Sequence, residues 1–370
     1  MSDEAVLLKE SFGRVEPVAG KVAELFYARL FVEDPDLRYL FPVAMDVQRS
    51  RLLRALVRVV QGLDSPVQLE GFLRQLGQDH RKFGVRPEHY AAVGRALIAA
   101  LREYSPDTWT PDIESAWASA YGGIAERMIA GAEAVAGTPA WWWAEVLTHE
   151  LPARDMALIT IRPDQPYPYL AGQYLSLESP RWPRLWRTYS MANAPSPDNL
   201  LSLHVRAVPD GWVSNALVRH TAPGDVLRLG PPVGSMRVEP GDGRDLVLIA
   251  GGTGLAPLQA IVEEMTRWNT GRLVHLFFGA RRADELYAMS RLSELSGRHP
   301  WLTVVGAVSD DPEHPGPRGL ISDVAAGYLR WDDHDVLVSG SPAMIRAAVS
   351  RLRARQVPLD RIRYDPFETG

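Results

Sequence analysis

"LVLIAGGTGLAPLQAI", residues 246–261, is a short apolar run, a turn holding Gly251, Gly252 and Gly254, and then the start of a helix. Small residues at such a strand-to-helix turn let backbone amides approach a phosphate at the positive end of the helix. The glycines alone fit an ordinary tight turn equally well. Further along, "RLVHLFFGA", "LTVVGAVS" and "DVLVSG" alternate with the helical patterns "ADELYAMSRLSEL" and "PAMIRAAVSRLRAR". Strand alternating with helix is the signature of a parallel sheet, so residues 243–370 are expected to form an α/β doubly wound domain.

Upstream the texture changes twice. From Trp141 to about residue 240, runs such as "GQYLSLES" and "NLLSLHVRAV" are cut by Pro and Gly turns, which predicts an antiparallel β-barrel over 141–240. Residues 1–137 carry apolar positions at spacings of three and four, as in "QRSRLLRALVRVV" and "HYAAVGRALIAAL", and predict an all-α domain that "AGTPA" ends. Trp141, Trp142 and Trp143 are assigned to packing where the helical and barrel parts meet.

With 370 residues, 46% of them hydrophobic, the chain has material for more than one core. It has no cysteine, which removes disulfides, thiolate metal sites, iron–sulfur clusters and cysteine nucleophiles together. Any metal must be held by histidine or carboxylate. A net charge of -5 with mixed signs argues against nucleic acid as a main partner. No apolar run spans a bilayer, and the charged start "MSDEAVLLKE" does not read as a leader, so the expectation is a soluble, cytoplasmic monomer with no membrane partner.

"QDHRKFGVRPEHY", residues 78–90, holds the two histidines of the helical part. Phe72, Leu76 and His80 follow at i, i+4, so His80 projects from a core-facing stripe. "GVRP" breaks that helix, Pro87 is placed to open the next, and His89 falls one residue off its buried face. The residues alone leave His80 either a hydrogen-bonded core histidine or a metal ligand.

Four further segments set the context. "RTYS", residues 187–190, places a cation, an aromatic ring and a hydroxyl on one short strand, as a flavin with its pyrophosphate needs. In "GWVSNAL", residues 211–217, Ser214 is placed as the N-cap of a helix aimed at that phosphate. With "GGTGLAP", "SGSP" and a C-terminal "YDPF", these closely resemble the ferredoxin-NADP reductase family over residues 141–370. The resemblance implies FAD held by Arg187, Tyr189 and Ser190, with Val213 and Ser214 on the pyrophosphate. It implies NADH or NADPH at Gly252, Thr253, Gly254, Ser339, Gly340 and Pro342. Ser339 stands where that family carries cysteine, a departure that would slow hydride transfer. Phe367 matches the terminal aromatic that covers the flavin.

The helical part, through "FYARLFVEDPDLRYLF" (26–41), "QRSRLL" (48–53) and "QDHRKFGVRPEHY", resembles the globin part of flavohemoglobins, and the whole chain follows that family's domain order. The resemblance implies heme b, with His80 as the iron ligand and Phe41 wedging the heme. It also implies Tyr27 and Gln48 as distal polar residues, unless Tyr27 is a satisfied core tyrosine and Gln48 a solvated one. Tyr90 matches the tyrosine that such proteins set beside the proximal histidine. Their glutamate aligns at Ala132, so Glu133 reaches His80 only if the last helix shifts phase near Gly131. Asp79 replaces a lysine of the family that pairs with the acid matched by Asp365; Arg81 or Lys82 is a substitute cation. An ordinary, weakly charged histidine ligand and slow flavin-to-heme transfer are expected. The activity implied is conversion of NO and O2 to nitrate; alternatives are a heme-flavin reductase of peroxides or quinones, or an O2- or NO-sensing globin with a reductase attached. In "FFGARRADELY", residues 277–287, Arg281 and Arg282 are candidates for a 2′-phosphate, although the "GAR" and "LY" pattern leans to NADH.

Overall fold

The computed structural model describes residues 3–241 and 243–365. The chain divides into two compact units, Met1–Trp141 and Trp142–Gly370. In the first, the α-helices are α1 (Asp3–Val15), α2 (Ala19–Glu33), α3 (Asp46–Gly62), α4 (Pro66–His80), α5 (His89–Glu103) and α6 (Pro111–Ala134). Starts and stops follow local chemistry. Thr110 caps α6, its hydroxyl accepting the Ile113 amide at 3.3 Å, with Pro111 in the first turn. The turn after α4 closes on Gly84, whose φ of 79° is the left-handed value glycine adopts freely. Pro87 does not open α5. The helix begins at His89, because residues 86–89 form a turn in which the His89 ring Nδ1 accepts the Arg86 amide at 3.2 Å.

The core of this unit gathers Phe12, Val22, Phe26, Tyr27, Leu30, Leu97, Leu101 and Trp117, while Val59, Leu73 and Met128 form a second cluster. Between these lies an unusually close crossing. A Cβ at Gly77 of α4 would sit 1.9 Å from the Met128 carbonyl oxygen, and one at Gly131 of α6 would sit 2.2 Å from that of Arg74. The two helices therefore touch backbone to backbone.

In the second unit, β1 (Trp142–Ala153), β2 (Met156–Pro163), β3 (Tyr174–Glu178), β4 (Trp186–Ser190), β5 (Leu201–Arg206), α7 (Trp212–Arg219) and β6 (Val226–Leu229) come first. Their sheet is antiparallel in the order β4-β3-β6-β1-β2-β5. A bridge from Met191 to Leu203 joins its two ends and closes a barrel around Val146, Ile159, Ile161, Leu175, Leu177 and Leu229. Trp142 goes into this barrel core, its ring edge-on to Tyr167 at 4.9 Å.

Then follow β7 (Leu246–Gly251), α8 (Leu255–Met265), β8 (Val274–Ala280), α9 (Met289–Arg298), β9 (Leu302–Val308), α10 (Ile321–Tyr328), β10 (Asp335–Ser339), α11 (Pro342–Ala354) and β11 (Ile362–Arg363). Every pairing in this sheet is parallel, in the order β11-β10-β7-β8-β9. Apolar clusters cover both faces, which is why the strands read as continuous apolar runs. The chain reverses its winding between β7 and β10, the switch point where open α/β sheets bind ligands. Among the described residues no helix is long and apolar enough to cross a membrane.

The helix crossing is open to direct test. Gly131→Ala should lower the stability of the helical unit by about 1–3 kcal/mol, because neither backbone can yield without moving its helix. Gly122→Ala lies on the same helix with nothing within 4 Å of its Cβ and should raise stability by about 0.5–1 kcal/mol. Urea unfolding of the two variants distinguishes a close contact from a general intolerance of α6.

Candidate functional site

His80 is the last residue of α4. Its Nδ1 lies 2.7 Å from the Leu76 carbonyl, an atom that only accepts, so Nδ1 carries the proton and donates it. Burial holds the imidazole pKa below its ordinary value, which keeps the ring neutral. Nε2 then has a lone pair and no partner among the described residues. A neutral imidazole oriented through its other nitrogen is the donor a heme iron requires. Among the described residues no group of three or more His, Asp or Glu could hold a metal by itself.

The residues matched to the proximal partner make no hydrogen bond to His80 among the described residues. Tyr90 is half-buried beside Leu76 and Phe72, its carbonyl accepts the Tyr121 hydroxyl at 2.8 Å, and no hydrogen bond links it to the histidine. Glu133 is exposed on the last turn of α6, and the reason is helix phase. The crossing turns Met128 and Gly131 toward α4; two residues on, at about 100° per residue, Glu133 points the other way. The acceptor for His80 is a backbone carbonyl of its own helix instead. Lys82, buried, pairs with Asp79, so the acid at that position is neutralised locally. Arg81 donates to the carbonyls of Val135 and Thr138, each at 2.7 Å, and ties the end of α4 to the segment after α6.

Tyr27 is buried in α2 with its ring edge-on to Phe41 at 5.5 Å and near-parallel to Phe31 at 5.8 Å. Its hydroxyl donates over 3.5 Å to the Gln48 carbonyl, and burial pushes its pKa well above the ordinary value, partly offset by Gln48 and Arg49. It remains a protonated donor with capacity for a better acceptor. Gln48 is half-buried in the first turn of α3.

On the barrel, Arg187 and Tyr189 alternate to one face of β4, and Ser190 ends the strand opposite Tyr174. The Arg187 guanidinium donates to the Trp186 carbonyl at 3.0 Å, and the Tyr189 ring packs on the barrel core. Ser214 is not the N-cap of α7. That position is Gly211, and the Ser214 hydroxyl donates to the Gly211 carbonyl at 3.1 Å while accepting the Val208 amide at 3.3 Å. It braces the turn, while the amides of Trp212, Val213 and Ser214 precede any partner four residues back in the helix. Guanidinium, phenol, hydroxyl and first-turn amides make a donor set that fits an anionic flavin nucleotide.

At the switch point the loops after β7 and β10 touch. A Cβ on Gly254 would lie 2.4 Å from the Ser339 carbonyl oxygen. Gly252 has a φ of 55°, Thr253 sits between them, and Gly340 and Pro342 lead into α11, capped by the Ser341 hydroxyl on the Met344 amide at 3.3 Å. The Ser339 hydroxyl is buried with no hydrogen-bond partner among the described residues, a polar atom left for something the loops enclose. Phe367 lies outside the described residues.

Three family descriptions match the chain in series: a globin over residues 24–128, an oxidoreductase FAD-binding domain over 145–238, and an oxidoreductase NAD-binding domain over 248–350. A flavohemoprotein from Chromobacterium violaceum is 29% identical over 375 residues, covering 92% of each chain. In domain content and order the chain is similar to the flavohemoglobins. The crystal structure of a flavohemoglobin from Malassezia yamatoensis, with bound FAD and heme, shares the fold at a TM-score of 0.80 and 20% identity over the full length of both chains. The reductase component of a phenol 2-monooxygenase from Pseudomonas sp. (strain CF600) is 35% identical over 197 residues, 52% of this chain and 56% of that one. Heme, FAD and a nicotinamide dinucleotide are the cofactors of this chain, and it is an NAD(P)H oxidoreductase.

One residue near the paired strands β3 and β4 escaped sequence reasoning as a buried group. Asp365 is 5% exposed, and one of its carboxylate oxygens has no hydrogen-bond partner among the described residues. Burial pushes its carboxyl up to about 6, partly offset by the Ser235 amide. A carboxyl raised on folding binds more protons in the native state, so its contribution to stability is complete below about pH 4 and is lost as pH rises to about 6. Asp365→Asn should therefore flatten that part of the stability profile and stabilise the reductase unit above pH 6 by roughly 1–3 kcal/mol. Thermal unfolding followed by flavin fluorescence from pH 4 to 8 checks it; parallel profiles would show that Asp365 titrates normally.

Proposed function

We propose that this protein is a flavohemoglobin and a nitric oxide dioxygenase acting in the cytoplasm on O2 and NO. One observation carries the reading: a single helical unit holds both a histidine with an unengaged Nε2 and a buried phenol that keeps its proton. Bound heme and FAD supply the iron and the splitting of a hydride into single electrons, so that one NAD(P)H supports the conversion of two NO and two O2 to two nitrate ions.

The protein's own residues do the rest. His80, held through Leu76, presents Nε2 in one orientation as the iron ligand. Tyr27 donates its hydroxyl proton in a hydrogen bond to a ligand atom that gains negative charge, in surroundings where Phe26, Phe31 and Phe41 exclude water. The Gln48 side chain adds a second donor at the mouth of α3. Arg187, Tyr189 and Ser190, with the amides of Val213 and Ser214, hold the FAD; Gly252, Thr253, Gly254, Ser339, Gly340 and Pro342 receive the nicotinamide nucleotide. These assignments go with domain limits of 1–137, 141–240 and 243–370.

The nucleotide is NADH in this reading. Glu285 accepts from the Arg281 guanidinium at 2.8 Å and from Arg206 at 3.3 Å, and Arg282 lies 3.7 Å from Asp284. Both arginines after β8 are thus matched by acids, and a 2′-phosphate would meet the Glu285 carboxylate.

Adding NO to the aerated holoprotein with NADH should give stoichiometric nitrate; NADH oxidation that NO does not accelerate, with peroxide or quinone consumed instead, would sink the proposal. In Tyr27→Phe, with heme content unchanged, O2 dissociation should quicken by roughly tenfold to a hundredfold, the worth of one hydrogen bond to a charged group. For nucleotide choice, Glu285→Gln should narrow the kcat/KM preference for NADH over NADPH by about tenfold, since it frees Arg281 for a phosphate. An unaltered ratio would place Glu285 away from the 2′ end.

A further inference from the structure

Trp182 and Trp212 stack on one another at the surface of the reductase unit. Their ring centroids are 4.8 Å apart at an interplanar angle of 27°, and they are 38% and 46% exposed. Trp142 and Trp186 are buried in or beside the barrel core, the exposed Trp143 ring on β1 has the Arg228 guanidinium over it at 5.5 Å, and neither stacked tryptophan belongs to that core. The pair is a flat aromatic surface open to solvent.

Both tryptophans are held in place. On the loop before β4, the Trp182 amide donates to Ser179 at 2.9 Å, and the Trp182 carbonyl accepts the Leu185 amide at 3.2 Å. Arg181 donates to the His220 carbonyl at 3.2 Å, fastening that loop to the end of α7. The Arg184 amide bonds the Glu178 carboxylate, which Arg228 holds at 2.7 Å. Trp212 opens α7, and its turn is braced by Asn215, which donates to the carbonyls of Val208 at 2.8 Å and Gly211 at 2.9 Å. Two loops distant in sequence are each tied down, and what they jointly present is an indole face.

Trp212 directly precedes Val213 and Ser214, the residues whose first-turn amides suit a pyrophosphate. In FAD the pyrophosphate separates the flavin from adenosine, so the residue adjoining those amides is placed where the adenosine emerges. A purine ring is flat and stacks on indole without needing a specific hydrogen-bond pattern. We infer that the Trp182–Trp212 pair is the platform on which the adenine of FAD stacks, and that it makes this barrel select FAD over FMN, which has no adenosine. The inference rests on the assignment of the flavin to Arg187, Tyr189, Ser190, Val213 and Ser214.

The test uses the full chain stripped of flavin and titrated with FAD and with FMN, following flavin and tryptophan fluorescence. The parent protein should bind FAD more tightly than FMN and lose indole emission on binding FAD. Trp212→Ala and Trp182→Ala should each weaken FAD by about tenfold or more while leaving FMN affinity unchanged, and Trp212→Phe should restore most of the loss. FAD affinity unchanged in both alanine variants would overturn the inference. So would equal losses for FAD and FMN, which mean that the pair only supports the loops. A parent chain that binds neither flavin would overturn the flavin assignment itself and the inference with it.

Discussion

Where α4 crosses α6, Gly77 and Gly131 let two backbones meet with no side chain between them, and the helical unit takes its geometry from that contact. Each helix is locked in rotation as well as in position, because turning either would drive a Cβ into the other's backbone. The locked phase places His80 one turn beyond Gly77 at the end of α4, and it turns Glu133 outward. Arg81 completes the clamp through the carbonyls of Val135 and Thr138. With no side chain of α6 bonded to the imidazole, its orientation falls to the carbonyl of Leu76. An amide carbonyl is a weaker acceptor than a carboxylate, so the ring keeps the character of a plain neutral imidazole.

The reductase unit is organised by a different constraint, the reversal of winding between β7 and β10. Two loops leave adjacent parallel strands there, and they can meet only because Gly254 puts no side chain against the Ser339 backbone. The barrel and the parallel sheet of this unit are joined by polar contacts. Gln259 donates to the Ala192 carbonyl at 3.0 Å, the Ala194 amide donates to Glu263 at 3.2 Å, and Tyr287 meets the His204 ring at 2.9 Å. Burial drives the His204 pKa down to about 3, so this contact stays uncharged at any ordinary pH. Glu285 belongs to the same seam through Arg206, so the loop after β8 is braced from a barrel strand.

The flavin side combines elements that local sequence describes well with others it does not. "RTYS" puts Arg187 and Tyr189 together because alternate residues of a strand share a face, a property of the backbone alone. The role of Ser214 was misplaced by one turn: Ser is a good N-cap by type, but Gly211 occupies the cap and leaves the hydroxyl to brace the preceding bend. Trp182 and Trp212 are about thirty residues apart in the chain, and no local pattern says that they stack.

The sequence by itself determined the three textures, helical, antiparallel and parallel, because hydrophobic period and turn residues are local properties that burial then only has to satisfy. It also determined the glycine turn at the switch point, the strand that carries Arg187 and Tyr189, and His80 as the histidine facing a core. Only the tertiary structure decided which atom orients His80, that Glu133 faces away, that Lys82 neutralises Asp79, and that Asp365 is buried with an unpaired oxygen. Each of these depends on the rotation of one element against another. A helix rotated by a single residue, about 100°, exchanges one set of neighbours for another while leaving its own sequence pattern intact.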